Sequence, residues 1–310
     1  MKLLAAAIGV TLAIALTAHA APDEEKLGKS QGYPIAKLGN NKDWYYDESV
    51  RVGSFTHQAE IPGLFAGGVN VLKRSERPLK LEKAAREPDY RWSVGEEKNL
   101  AVADFLARQR IMGLLIVKDG VIQVEHYQYD RKPTDRFTSQ SMAKSIVSLG
   151  IGLALAEGRI ESLDDNAEKY APKLRGTVLG QTTIRNLLRM ASGAKYRQGY
   201  KKGEGDNGAF WQVALREGGE SAASFITERE YPQGERFYYM SPNSVMLGAV
   251  LRGATGMSVS DRLSPRLWQA IGAEETALWR TDTTGPEVDH GNFTAKLRDY
   301  GRAGGVPCNH

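Results

Sequence analysis

One cysteine in 310 residues, Cys308, leaves no partner for an internal disulfide. The five histidines are scattered, and with a single thiol they form no zinc-ligand spacing. No glycine-rich phosphate loop occurs. No basic run is interleaved with aromatics, so nucleic acid is not an expected partner. Repeats and low-complexity tracts are absent, and the one sustained apolar run lies at the N-terminus. These absences leave a chemistry carried by ordinary side chains, with no cofactor or metal expected.

The formal charge is +4, a mild excess whose plainest use is solubility. The length allows one large domain or two subdomains with a sizeable core. Residues 1–20 read as a signal peptide: Lys2 supplies the positive end, Leu3 to Thr17 is apolar, and Ala18-His19-Ala20 is a small-x-small cleavage site. The run is short for a comfortable bilayer span, and a retained anchor is the competing reading. Cleavage after Ala20 would give a periplasmic or secreted protein with no stable membrane anchor. Residues 21–95 form a lead-in to which no chemistry can be assigned; the charged strip Lys73 to Lys80 reads as solvated surface.

The most informative stretch is Phe137-Thr-Ser-Gln-Ser-Met-Ala-Lys-Ser145. Ser141 and Lys144 stand three apart, followed by an apolar helical pattern that stops at Glu157-Gly158. If Ser141 opens that helix, the Lys144 amine reaches its hydroxyl. A serine is a poor nucleophile until a base takes its proton, and a lysine is such a base only when burial or a nearby cation lowers its pKa. The helix N-terminus adds free N–H groups, so the Ser141 N–H could serve an oxyanion. By itself the pair is a weak signal, since Ser141 could equally be an N-cap and Lys144 a solvated helix residue.

Later stretches answer it. Gly158 to Asp165, Tyr170-Ala-Pro172, Thr183 to Gly193, Pro232 to Ser241, Leu247-Gly248 and Ala254-Thr-Gly256 follow in order. With Ser141-x-x-Lys144, this series resembles the serine β-lactamase and penicillin-binding superfamily, over about residues 100 to 304. Within it the chain is most similar to class C-related esterases and amidases, including 6-aminohexanoate-dimer hydrolases. The resemblance implies an α+β fold of two subdomains, an antiparallel sheet with a helical part, over residues 96–305. It implies an acyl-enzyme on Ser141, with Lys144 and Tyr239 as general base and acid. A β-lactamase or D-Ala-D-Ala peptidase is the alternative enzyme, and a remnant that binds without turnover is the alternative of another class.

Tyr239 is preferred to Tyr238 because Ser241 stands two places on, where many members have asparagine. Ser241 could hydrogen-bond Lys144 but lacks the amide that holds a β-lactam side-chain carbonyl; Asn243 could supply one from another position. Tyr200 and Trp211 fall where relatives place aromatics that contact substrate, although Trp211 could as well be core. His126, at a strand end, reads as structural.

Two secondary-structure expectations complete the reading. Glu96 to Arg108 has helical spacing, and two β-branched runs flank Asp119-Gly120 as a hairpin over 113–127; the family resemblance implies a place for it in an antiparallel sheet behind the Ser141 helix. The family's Lys/His-Thr/Ser-Gly strand is expected beyond Arg302, but the sequence departs after Gly305 into a tail of residues 306–310. That implies a truncated domain, an incomplete sheet, a missing second oxyanion N–H, and a hairpin with an open edge and face.

Overall fold

The computed structural model describes residues 22–37, 44–61, 67–199 and 204–306, so the stretch read as a signal peptide, Tyr200 and Cys308 lie outside the described residues. The described residues form two compact units, one made of 89–111 with 22–23, the other of those within 24–88 and 112–306. Along it run strands β1 (Val69–Leu72), β2 (Glu82–Lys83), β3 (Arg91–Val94), β4 (Glu97–Ala101), β5 (Gly113–Lys118), β6 (Val121–Tyr127), β7 (Arg136–Thr138), β8 (Ala277–Arg280) and β9 (Phe293–Lys296). The helices are α1 (Glu48–Thr56), α2 (Val102–Arg108), α3 (Ala143–Ala156), α4 (Ile184–Leu188), α5 (Asn207–Glu217), α6 (Gly219–Ser224), α7 (Ser241–Thr255), α8 (Val259–Leu263) and α9 (Leu297–Gly305).

In the smaller unit the expected helix from Glu96 begins only at Val102. The five residues before it pair with β3 as an antiparallel hairpin, with Trp92 opposite Leu100. Gly95 and Asn99 take left-handed backbone, at φ 56° and 60°, which a helix does not allow. The Trp92 indole N–H donates to the Ala101 carbonyl at 3.2 Å, and its ring meets Phe105 edge-on. Asp104 then accepts from the Ala101 N–H at 2.7 Å, closing the first turn of α2. Leu100, which fits the helical spacing, is therefore used as a strand residue by its cross-strand aromatic partner.

The larger unit holds two sheets. One is wholly antiparallel in the order β1-β8-β9-β7; the other has the order β2-β6-β5, with β5 and β6 antiparallel and the short β2 parallel to β6. The β5–β6 hairpin turns at Asp119-Gly120, both at positive φ (52° and 75°), the two-residue turn whose twist suits a hairpin. Its place differs from the expectation. It lies in the sheet other than the one from which the Ser141 segment emerges, and its expected open face is packed by α9, where Gly301 lies against Leu115. Arg298 of α9 grips Glu125 of β6 through Nε at 2.6 Å and Nη2 at 2.9 Å. The Tyr300 hydroxyl donates to the carbonyl of Phe137 at 2.8 Å, so α9 also holds β7.

The main core lies where α3 and α7 meet the four-stranded sheet. α3 buries Ala143, Ile146, Val147, Gly150, Ile151 and Ala154; α7 is buried continuously from Ser241 to Leu251. Such an all-round buried helix fixes its N-terminal residues rigidly, and Tyr239 and Ser241 stand at that end. The smaller helices follow their caps: Thr183 accepts from the Asn186 N–H and opens α4 within the helix expected at 182–190.

Trp279 of β8 joins this core to the site. Its ring packs edge-on against Phe293 at 5.0 Å, and its indole N–H donates to the carbonyls of Val288 (3.2 Å) and Gly291 (3.0 Å). Replacing it with phenylalanine keeps an aromatic ring but removes the donor from two buried carbonyls. Trp279→Phe should lower unfolding free energy by about 1–3 kcal/mol, seen as a fall in the urea midpoint at unchanged slope.

Candidate active site

The site begins where β7 ends. The Ser139 N–H donates to the Phe293 carbonyl at 2.7 Å, continuing the β7–β9 ladder by one residue. Gln140 then takes a left-handed backbone at φ 45°, unusual for a residue with a side chain and a strained state of about 1–3 kcal/mol. A short 3₁₀ turn, Gln140–Met142, carries Ser141, and α3 follows at once from Ala143. Ser141 thus stands exposed just ahead of a buried helix, on a turn of the tighter kind rather than inside the α-helix. Its own N–H has no acceptor among the described residues and is available to a ligand oxygen.

One turn on, Lys144 points back. Its Nζ stands 3.1 Å from Ser141 Oγ and donates to the His290 carbonyl at 2.7 Å. The side chain is 9% exposed and has no carboxylate partner. Burial therefore disfavours its charge and lowers its pKa to about 7. The Tyr239 ring lies with its centroid 5.2 Å from Nζ, within cation–π reach. The three candidate residues are together, but the Tyr239 hydroxyl makes no hydrogen bond to Ser141 or Lys144; it is the ring that faces the amine.

Ser241 departs from its expected role. Its Oγ accepts from Gln198 Nε2 at 3.3 Å and its N–H donates to Gln198 Oε1 at 2.9 Å, so it pairs with glutamine rather than Lys144. The reason is positional: Ser241 opens α7, and the Gln198 amide satisfies that first-turn donor. Asn243 is fully buried, its Nδ2 donating to Met190 Sδ at 3.5 Å while its Oδ1 has no partner among the described residues, so the side chain lies in the core. Trp211, half-buried on α5, lies against the His290 ring at 4.3 Å between centroids. His126 makes a rim contact with Glu87 at 2.7 Å, remote from this chemistry in its partners.

Three participants had no signature in the sequence reading. The His290 carbonyl is a backbone group, which any residue would supply. Gln198 lies in a loop legible only as a loop. Gln58 follows α1 in the stretch without assigned chemistry, yet it is fully buried: Nε2 donates to Asn292 Oδ1 at 2.7 Å, and Oε1 accepts from Thr138 Oγ1 at 3.1 Å. It therefore bridges the residue before β9 and the last residue of β7, directly below the strained turn. Among the described residues no group of three or more His, Cys, Asp or Glu could hold a metal ion.

A family model described as Beta-lactamase matches residues 99–306, more than half of the chain. The chain belongs to the beta-lactamase family. It is 27% identical over 198 residues to a 6-aminohexanoate-dimer hydrolase of Paenarthrobacter ureafaciens, a match covering 61% of this chain and 50% of that protein. The chain thus spans about half the length of that relative. A solved structure from Bacillus anthracis, provisionally named a 6-aminohexanoate-dimer hydrolase, superposes with a TM-score of 0.76 at 22% identity, covering 89% of this chain and 74% of the other. That likeness supports the α+β fold with open antiparallel sheets.

The Gln58 bridge yields a test. Gln58→Leu preserves volume but removes both bonds, leaving the Asn292 side-chain Oδ1 and the Thr138 hydroxyl short of partners. It should destabilise the protein by about 1–3 kcal/mol in chemical denaturation.

Proposed function

We propose that the chain is a serine hydrolase that cleaves an ester or amide through an acyl-enzyme on Ser141. The observation that carries this reading is the buried Lys144 amine, with no carboxylate beside it, 3.1 Å from Ser141 Oγ, its pKa lowered to about 7. Near neutral pH a large share of Lys144 is the free base. Donating one N–H to the His290 carbonyl turns its lone pair toward the serine.

The steps follow from these positions. Ser141 Oγ attacks the carbonyl carbon as its proton passes to Lys144 Nζ. The Ser141 N–H stabilises the oxyanion. The C–O or C–N bond breaks as the leaving group takes a proton from Lys144, with the Tyr239 phenol as relay. Water then attacks the ester on Ser141, giving its proton back through Lys144, and the acid leaves. Tyr239 enters this sequence when its hydroxyl reaches the amine, a tightening of catalytic hydrogen bonds common in substrate complexes.

Small linear amides and esters are the favoured substrates, because the relatives of matching fold carry the name of 6-aminohexanoate-dimer hydrolases. Ser241 in place of the amide, with Asn243 turned into the core, disfavours β-lactams and D-Ala-D-Ala peptides. Export, with cleavage after Ala20, is part of the same proposal, and Trp211 and Tyr200 are proposed as substrate contacts.

A fluorophosphonate probe tests the reading. An adduct located by mass spectrometry on Ser141, absent in Ser141→Ala, is expected. No adduct on soluble, folded protein would sink active hydrolysis and favour the non-catalytic binding alternative. Because the neutral amine is the base, acylation should rise with pH through an apparent pKa of about 7 and level off above it. A rate flat from pH 5 to pH 9 would contradict Lys144 as base. Tyr239→Phe should slow ester turnover by about 100-fold or more while leaving the fold intact.

A further inference from the structure

Behind the Lys144 acceptor lies a buried charge cluster that the proposed chemistry does not use. Arg252, near the end of α7, donates through Nη1 to both oxygens of Asp289, at 3.2 and 3.0 Å. Its Nη2 reaches Glu220 of α6 at 3.3 Å, and Glu287 lies 3.8 Å from Nη1. Glu287 is engaged elsewhere: it accepts from the Ser260 N–H at 2.9 Å, the Val259 N–H at 3.3 Å and Asn70 Nδ2 at 2.9 Å. Asp289 depends on Arg252 alone among the described side chains, and burial pushes its pKa above the ordinary carboxylate range while Arg252 opposes that rise.

The approach of Asp289 to α7 is close. A Cβ at Gly248 would meet Asp289 Oδ2 at 2.0 Å, so only glycine at that position lets the carboxylate lie on the helix. The next residue after Asp289 is His290, whose carbonyl holds Lys144 Nζ at 2.7 Å. The adjoining cavity is about 10 Å³, room for a water and not for part of a substrate. The cluster is thus a mounting rather than a subsite.

We propose that Asp289, seated on Arg252 and Gly248, is the positioning residue for Lys144: it sets the height of the His290 carbonyl, and that carbonyl aims the Lys144 amine at Ser141. The inference rests on the proposed role of Lys144. The other wall of this segment is fixed by the Trp279 indole, which holds the Val288 and Gly291 carbonyls on either side. The Val288 N–H donates to the Arg280 carbonyl and the Gly291 N–H to the Val288 carbonyl, both at 2.9 Å, and the His290 ring lies against Phe210 and Trp211; Asp289 adds the restraint on the face turned to α7.

The test compares Asp289→Ala with Asp289→Asn in the full chain. Asparagine keeps an acceptor for Arg252 within the same volume; alanine keeps none. Two quantities are read: the single-turnover acylation rate against pH with a p-nitrophenyl ester, and the titration of Lys144 Nζ by NMR in unreacted protein. In Asp289→Ala the plateau rate should fall at least about 10-fold with KM nearly unchanged. The Lys144 titration should move to lower pH, because an acceptor favours the ammonium form and is withdrawn. Asp289→Asn should stay within about 3-fold of the parent.

A merely structural role predicts something else: a smaller fraction of reactive chains, with the rate and titration of the survivors unmoved. That result overturns the proposal, as does Asp289→Asn falling as far as Asp289→Ala. If Asp289→Ala fails to fold, Arg252→Lys, which keeps the cation and loses the paired contact, is read by the same criteria. If the parent takes no acyl group on Ser141, the hydrolase reading fails by itself, and the Lys144 titration in the two variants alone decides the positioning.

Discussion

The site depends on keeping an amine dry. A lysine in water is an ammonium and cannot take a proton from serine. A lysine withdrawn from water, with no carboxylate beside it, prefers to be neutral. Lys144 is held in that condition by the packing of α3 on α7 and by a carbonyl rather than a charge as its acceptor. A carboxylate in place of the His290 carbonyl would raise the amine's pKa and hold it as an ammonium. The neighbouring His290 ring respects the same constraint: burial and the nearby amine hold its pKa far below the ordinary value, so it adds no second cation.

Much of the remaining architecture serves that one contact. The α7 helix, buried along most of its length, presents Tyr239 and Ser241 at one end and holds Asp289 at the other through Gly248 and Arg252. Trp279 carries the turn that offers the His290 carbonyl. Gln58 braces the strands on either side of the Ser141 turn, and the strain of Gln140 at φ 45° persists because those neighbours over-determine it. An exposed serine beside a buried lysine needs an abrupt change of direction between them, and the strand–3₁₀–helix junction provides it.

The sheets show how local pattern and tertiary partner divide the work. Asp119-Gly120 between β-branched runs specifies a hairpin whatever surrounds it, and that hairpin is present. Its assignment to a particular sheet needed α9, whose Arg298 and Tyr300 bind β6 and β7 respectively. Near Glu96 the local pattern misled, because Leu100 suits a helix face and a strand face equally. Trp92, eight residues earlier, chose between them by pairing across the hairpin.

The amino-acid sequence by itself brought Ser141 and Lys144 within reach of each other, since residues three apart at the head of an apolar helix share a face. It also determined the order of motifs that places the chain in its family, the hairpin turn, and the helix around Thr183. Only the tertiary structure decided what surrounds the amine: the His290 carbonyl, the Gln198 clamp on Ser241, the Gln58 bridge and the Arg252–Asp289 mounting. These contacts join residues from about 37 to more than 200 positions apart, and one of the groups is a backbone carbonyl that every residue possesses. Local spacing encodes what neighbours along a helix can do; a dry site is made by atoms distant in sequence, whose partners no spacing rule records.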